Sequence, residues 1–191
     1  MSGKLIIVCA PSGAGKTTIV RHVLENIPGI EFSVSATNRQ KRPNEVDGVD
    51  YYFISTPEFQ RKIGNDEFLE WEEVYPGTYY GTLKDEINRI WNRGNHVIFD
   101  VDVEGGLTIK HFYGKRAMLV FVQPPSLEVL KQRLFNRATE TAKSYNTRVE
   151  KAEREMEYAK HADKILINDS LEHSLPEAQH IVEAFINELE A

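Results

Sequence analysis

The 191 residues include a single cysteine, Cys9. No internal disulfide can form, and its place inside LIIVC suits a small core residue rather than a nucleophile. Positive charge is in deficit: 23 lysines and arginines against 29 aspartates and glutamates give a formal net charge of -6. A general nucleic-acid binder carries the opposite, a basic stripe, so no nucleic-acid partner is expected and any anionic partner must be met by local basic clusters. No apolar run approaches the roughly 20 residues that span a bilayer. The opening MSGKLIIVCAPSG has too short an apolar stretch, and no small-residue cleavage site, for a secretory signal. The expectation is a soluble cytoplasmic chain with no membrane partner. Six histidines are scattered without a second histidine or a cysteine at metal-ligand spacing, which argues against structural zinc. Internal repeats and low-complexity tracts are missing too. What is left is globular material, 41% hydrophobic, enough for one compact domain with an insertion.

Four short runs are nearly all apolar and rich in branched residues: LIIVC (5–9), HVIFDV (96–101), AMLVFV (117–122) and KILI (164–167). Continuous hydrophobicity suits strands covered on both faces, as in a parallel sheet. Helical patterns lie between them, over 16–27, over 82–93 with Thr82 as N-cap and Gly94 as stop, and over 126–137 from Ser126. The tail, 175–189, puts Ile181, Val182, Phe185, Ile186 and Leu189 on one core-facing stripe. The segment 36–82 breaks the rhythm. DGVDYYFIS, a helix opened by Thr56 and Pro57, and a hairpin around YPGTYYG read as a small mixed insertion. Residues 136–161 are charged, poor in large apolar side chains and helical in their later part.

APSGAGKT, residues 10–17, follows a predicted strand and opens a predicted helix, the context a P-loop requires. Gly13 and Gly15 let backbone N–H groups turn toward phosphate oxygens, and the helix N-terminus adds its dipole. Lys16 supplies a point charge, and Thr17 offers a hydroxyl to Mg²⁺. The motif usually starts with glycine, and Ala10 stands there. HVIFDVDVEGG sets Asp100 and Asp102 near the carboxyl end of a strand and on one face, where open α/β sheets bind ligands. An aspartate there can hold Mg²⁺ through water or contact a second substrate.

A P-loop alone leaves switch, motor and kinase open. SVSATNRQKRP brings Arg39, Lys41 and Arg42 together in an acidic chain. Two arginines three apart in an extended loop suit a second phosphate, because the guanidinium fork matches its oxygens. A solvated basic loop is the competing account. In EFLEWEEVYPGTYYGT, a strand over 68–74 would turn Phe68, Glu70 and Glu72 one way and Leu69, Trp71 and Glu73 the other. Carboxylates lining a cleft would accept from N1 and N2 of guanine, while Ser35 or Thr82 suits O6. Adenine would leave these groups mispaired. A solvated acidic face is the other reading of Glu72 and Glu73.

With APSGAGKTT, SVSATNRQKRPNEVDGVDYYF, EFLEWEEVYPGTYYGT, IFDVDVEGG, RLFNRATET with NTR, and INDS in this order, nearly the whole chain resembles the guanylate kinases. The resemblance implies an α/β fold: a P-loop NTPase-type parallel sheet flanked by helices, with a small mixed GMP-binding insertion and a helical lid. The core would take 1–35, 83–127 and 156–191, the insertion 36–82 and the lid 128–155. ATP would be held by Ala10, Pro11, Ser12, Gly13, Ala14, Gly15, Lys16, Thr17, Thr18 and Asn168, the last contacting its base. Ser35, Glu70, Thr82 and Asp102 would recognise guanine, with Asp100 close to GMP and the metal. Arg39, Arg42, Tyr51 and Tyr80 would hold the GMP phosphate, and Arg133, Arg137 and Arg148 would close over the transferring phosphoryl group. Asn38, where the family usually has threonine, and Ala138, where glycine often stands, depart from the pattern.

The resemblance thus implies ATP-dependent phosphorylation of GMP, and of dGMP, with ATP entering as the Mg²⁺ complex. A silent phosphopeptide-binding scaffold of the same fold and a sugar-phosphate kinase are the rivals. Lys16, Thr17 and the arginines argue against the first, and Ser35, Glu70 and Thr82 against the second.

Overall fold

The computed structural model describes residues 3–136 and 142–188. The four apolar runs form β1 (Leu5–Cys9), β7 (His96–Asp100), β8 (Ala117–Gln123) and β9 (Lys164–Ile167). A three-residue strand, β2 (Ile30–Phe32), completes a five-stranded parallel sheet of order β2-β7-β1-β8-β9. Alternate residues of β1 point to opposite layers. Ile6 and Val8 pack with Ile19, Val20 and Val23 of α1 (Lys16–Asn26) and Ala178 and Val182 of α7 (Leu171–Asn187). Leu5, Ile7 and Cys9 pack with Ile87 and Ile90 of α3 (Lys84–Asn92) and Ile109 of α4 (Val103–Tyr113). Burial on both faces is why these strands read as unbroken apolar runs.

A second sheet lies in sequence between β2 and α3, with β4 (Tyr52–Phe53), β3 (Ala36–Thr37), β6 (Thr78–Leu83) and β5 (Phe68–Tyr75) in that spatial order. The β5–β6 hairpin turns at Gly77, φ 76°, and α2 (Thr56–Gly64) packs over it. Ser55, one residue before the expected opening, caps α2 by accepting from Glu58 N–H. Two helices, α5 (Leu127–Asn136) and α6 (Ala142–Met156), follow β8 and pack through Leu130, Leu134 and Ala152.

Three local expectations change. Thr82 is not an N-cap: β6 keeps pairing with β5 as far as Leu83 opposite Phe68, so the helix starts at Lys84 and Leu83 takes the cap position. The alternation along β5 is broken by a register shift between Phe68 and Glu70. A bulge of this kind re-aims side chains, so Phe68 stacks on Phe59 at 4.4 Å while Leu69 packs against the main core. Helix α7 begins a turn before the apolar stripe marks it and takes in Pro176; Leu189 lies outside the described residues.

The second sheet has its own small core, in which Phe59 is fully buried between Phe68 and Tyr79. With few neighbours to collapse into the space, Phe59→Ala is expected to cost about 3–5 kcal/mol. Urea denaturation of the variant checks this; a loss under about 1 kcal/mol would mean that this sheet does not depend on the cluster.

Candidate functional site

The loop between β1 and α1 turns through two left-handed glycines, Gly13 at φ 88° and Gly15 at φ 99°, a conformation that a side chain strains. At Gly15 a Cβ would also run into the Asn168 amide nitrogen. That amide donates to Ala14 O at 2.6 Å and its oxygen accepts from Ser174 Oγ at 2.8 Å. Asn168 is 3% exposed, and both ends of its side-chain amide are engaged beside the loop. Arg133 on α5 donates to Asn168 O at 3.0 Å, and Glu155 on α6 accepts from Ser12 N–H at 3.4 Å.

Because β1 and β7 are parallel neighbours with Val8 opposite Asp100, the loop after one and the acid ending the other meet at the same sheet edge. Lys16 Nζ lies 3.0 Å from Asp100 Oδ1 and donates to Val101 O at 2.8 Å. Thr17 Oγ1 donates to Asp100 Oδ2 at 3.1 Å. A hydroxyl and a carboxylate side by side are hard oxygen donors of the kind Mg²⁺ takes alongside nucleotide phosphates. The cleft above them, about 900 Å³, is walled by the P-loop, Ser35, Tyr51, Asp100, Asp102 and Arg148.

Two further groups adjoin the cleft. Arg39 presents its fork to Glu45, with both Nη–Oε distances 2.6 Å, and its Nε donates to Tyr80 OH at 3.0 Å. The Tyr51 ring lies 5.0 Å beneath the guanidinium. Arg42 is exposed and gives its backbone N–H to Glu45 at 2.9 Å. The Arg39 guanidinium and that N–H pull the Glu45 carboxyl down to about 2. Asn38 ties the base of the loop down, donating to Thr56 Oγ1 and Gly77 O, each at 2.8 Å, and accepting from Tyr79 N–H at 2.7 Å.

The second group is acidic. Asp102 caps α4 by accepting from Gly105 N–H at 2.7 Å. Gly105 leaves room for Glu70: a Cβ there would sit 2.9 Å from Glu70 Oε2 and 3.1 Å from Asp102 Oδ1. Burial, with the Asp102 charge adding to it, pushes Glu70 up to about 7. Thr82 pairs opposite Glu70 in the hairpin and is fully buried; its Oγ1 makes no well-aligned hydrogen bond, though its nearness to the Glu70 carboxyl opposes that rise. Glu72 shares a hydrogen bond with Asp102 and, half-buried, is also raised to about 7.

The fold therefore gathers the P-loop, Ser35, Tyr51, Asp100, Asp102 and Arg148 at one cleft, Arg39 with Tyr80 beside it, and Glu70 with Thr82 behind Asp102. Arg133 rests on the P-loop side, and Arg137 and Ala138 lie outside the described residues. Sequence reasoning missed Glu45 and Glu155. Glu45 carried a faint signal as the first acid after a basic loop; Glu155 sits among many charges on α6 with nothing in the local pattern to mark it.

A family profile described as Guanylate kinase matches residues 2–185. The chain belongs to the guanylate kinase family. It is 46% identical over 187 residues to the guanylate kinase of Bacteroides thetaiotaomicron, covering 98% of this chain and 92% of that one. With the guanylate kinase of Salinibacter ruber it shares 44% over 183 residues, 96% of this chain and 97% of the other. The crystal structure of guanylate kinase from Anaplasma phagocytophilum superposes with a TM-score of 0.78 at 25% identity, over 98% of this chain and 88% of that one. The P-loop sheet flanked by helices is thus a guanylate kinase architecture.

The buried acid makes a pH prediction for this guanylate kinase family member. Glu70 titrates at about 7 when folded against 4.5 for an ordinary glutamate. Between those values the native state holds a proton that the unfolded chain has released, so this residue's contribution to stability falls as pH rises through the window and then levels off. Glu70→Gln removes the dependence. The wild-type stability minus that of the variant, from urea denaturation, should decline from pH 4.5 to about pH 7; a flat difference contradicts the assignment.

Proposed function

We propose that the chain transfers the γ-phosphoryl group of ATP to the phosphate of GMP, giving ADP and GDP. The observation that carries this is the single cleft in which an intact P-loop faces Ser35, Tyr51, Asp100 and Asp102, in a chain 46% identical over almost its full length to a guanylate kinase. The acceptor is already an anionic oxygen, so no covalent intermediate or strong general base is required; positioning and charge stabilisation carry the reaction.

In this reading the backbone of residues 10–15 and the α1 N-terminus hold the ATP phosphates, and Lys16 leaves Asp100 and Val101 O to meet the transferring group. Thr17, with Asp100 beside it, would hold the Mg²⁺ that accompanies ATP, which supplies charge neutralisation between phosphates. The GMP phosphate takes the Arg39 fork in place of Glu45, with Arg42, Tyr51 and Tyr80 around it. Guanine N1 and N2 donate to Glu70 and Asp102, and O6 accepts from Ser35 or Thr82. dGMP presents the same base and phosphate and is proposed as a second acceptor. Arg133 and Arg148, with Arg137, would spread charge from the equatorial oxygens. We read 36–82 as the GMP-binding insertion, 128–155 as the lid and the remainder as core. Among the described residues no helix is long and apolar enough to cross a membrane, and the one cysteine is buried and free, in keeping with a cytoplasmic setting.

The test is ADP formation from MgATP with GMP, dGMP, AMP, IMP, UMP or a ribose bisphosphate, against a no-acceptor control. Turnover is expected with GMP and dGMP, and Lys16→Ala should lower it by at least about 100-fold without shifting the thermal midpoint appreciably. GMP binding with no turnover for any acceptor would favour a scaffold, and near-normal activity in the Lys16 variant would remove that residue from the mechanism.

A further inference from the structure

Ser35 and Tyr51 stand at two separate points of the acceptor side, and each has a chain neighbour tied to the same buried carboxylate of the core. Glu86, in the first turn of α3, is 4% exposed. Its Oε1 accepts from Val34 N–H at 3.2 Å, one residue before Ser35. Its Oε2 accepts from Tyr52 OH at 2.9 Å, one residue after Tyr51. The two segments also meet directly, since Tyr52 N–H donates to Ser35 O at 2.9 Å. Arg89, one turn along α3, grips the carboxylate from behind, with Nη2 at 2.8 Å from Oε1 and Nε at 2.9 Å from Oε2. Arg89 is itself held by Glu31 of β2 at 3.0 Å, which also takes Arg93 and Asn95.

Glu86 does not line the cleft itself, but Val34 and Ser35, which its network holds, do. Glu86 accepts four hydrogen bonds in a network that joins the segment entering β3 and the start of β4 to the helix packed on the main sheet. A buried ion pair is a weak source of net stability compared with apolar residues of the same volume, and α3 already packs through Ile87 and Ile90. What the pair does supply is geometry: a planar carboxylate with both oxygens engaged sets the separation of its partners.

We propose that Glu86 is a positioning residue for the acceptor nucleotide, acting through Val34 and Tyr52 to set Ser35 and Tyr51 against the P-loop. It therefore governs GMP affinity and leaves ATP handling alone. The inference rests on the assignment of Ser35 and Tyr51 to GMP.

Glu86→Gln and Tyr52→Phe separate this from a structural role. Tyr52→Phe removes one hydroxyl and decides the matter if the Glu86 variant fails to fold. KM for GMP should rise about tenfold in the Glu86 variant and about threefold in the Tyr52 variant, with KM for ATP and kcat at saturating GMP within twofold of wild type. The loss in the double variant should be smaller than the sum of the single losses, because the two residues share one bond. An unchanged KM for GMP in Tyr52→Phe, or parallel losses for both substrates, overturns the proposal. A wild type that ignores GMP overturns the functional reading, and this inference with it; a wild type that uses GMP beside unaffected variants overturns the positioning role only.

Discussion

The parallel register of β1 against β7 is the constraint on which the site depends. With Val8 opposite Asp100, the chain leaving β1 must turn back over the end of β7, and that turn is the glycine-rich loop. Lys16 then finds an acid at 3.0 Å and a carbonyl at 2.8 Å, both brought to it at the end of β7 by the register. A slip of one residue would carry Asp100 to the other face of the sheet, and the register is held by five-residue strands buried on both sides. The apolar layers thus do more than stabilise; they fix where the charges stand.

Anion binding in a chain of net charge -6 requires that its acids be neutralised where phosphate comes near. The structure does this locally. Asp100 is matched by Lys16, and Glu45 by the Arg39 fork. Glu70 is pushed up by burial, and Glu72 by the hydrogen bond it shares with Asp102. An exposed surface pair contributes little to stability, whereas the side chains of the Arg39–Glu45 pair are each 16% exposed, and in the proposed function this carboxylate holds the place of the GMP phosphate. The two-point contact holds the Arg39 fork without leaving its charge unpartnered.

Much of this was legible in sequence for a physical reason. Strands buried on both faces must be apolar throughout, so β1, β7, β8 and β9 announced themselves, and a phosphate loop must have glycine where φ is positive. The misses also have causes. β2 is three residues long, too short for any period to show. Thr82 is a good helix cap by residue type, but cross-strand pairing with β5 outranked that local preference. The bulge at Leu69 is invisible to a two-residue repeat because it consists of breaking it. Glu45, Glu86 and Glu155 look alike in sequence, as three acids among 29 Asp and Glu; only tertiary contacts distinguish a fork partner, a buried carboxylate with four donors and a loop support.

Thr82 carries the argument one step further. Its hydroxyl is fully buried, opposite Glu70, with no well-aligned hydrogen bond among the described residues, although it stands near enough to the Glu70 carboxyl to oppose the rise that burial causes there. An orphaned buried hydroxyl costs about 1–3 kcal/mol, and a chain selected for stability alone would hold valine or alanine there. Valine fills the same space, so packing does not explain the threonine. In the proposed function, a base that offers an acceptor to Thr82 and a donor to Glu70 satisfies both groups at once, whereas a base with the pattern reversed satisfies neither. Under the proposed function, selectivity rests on the hairpin register that sets Thr82 against Glu70 as much as on either side chain.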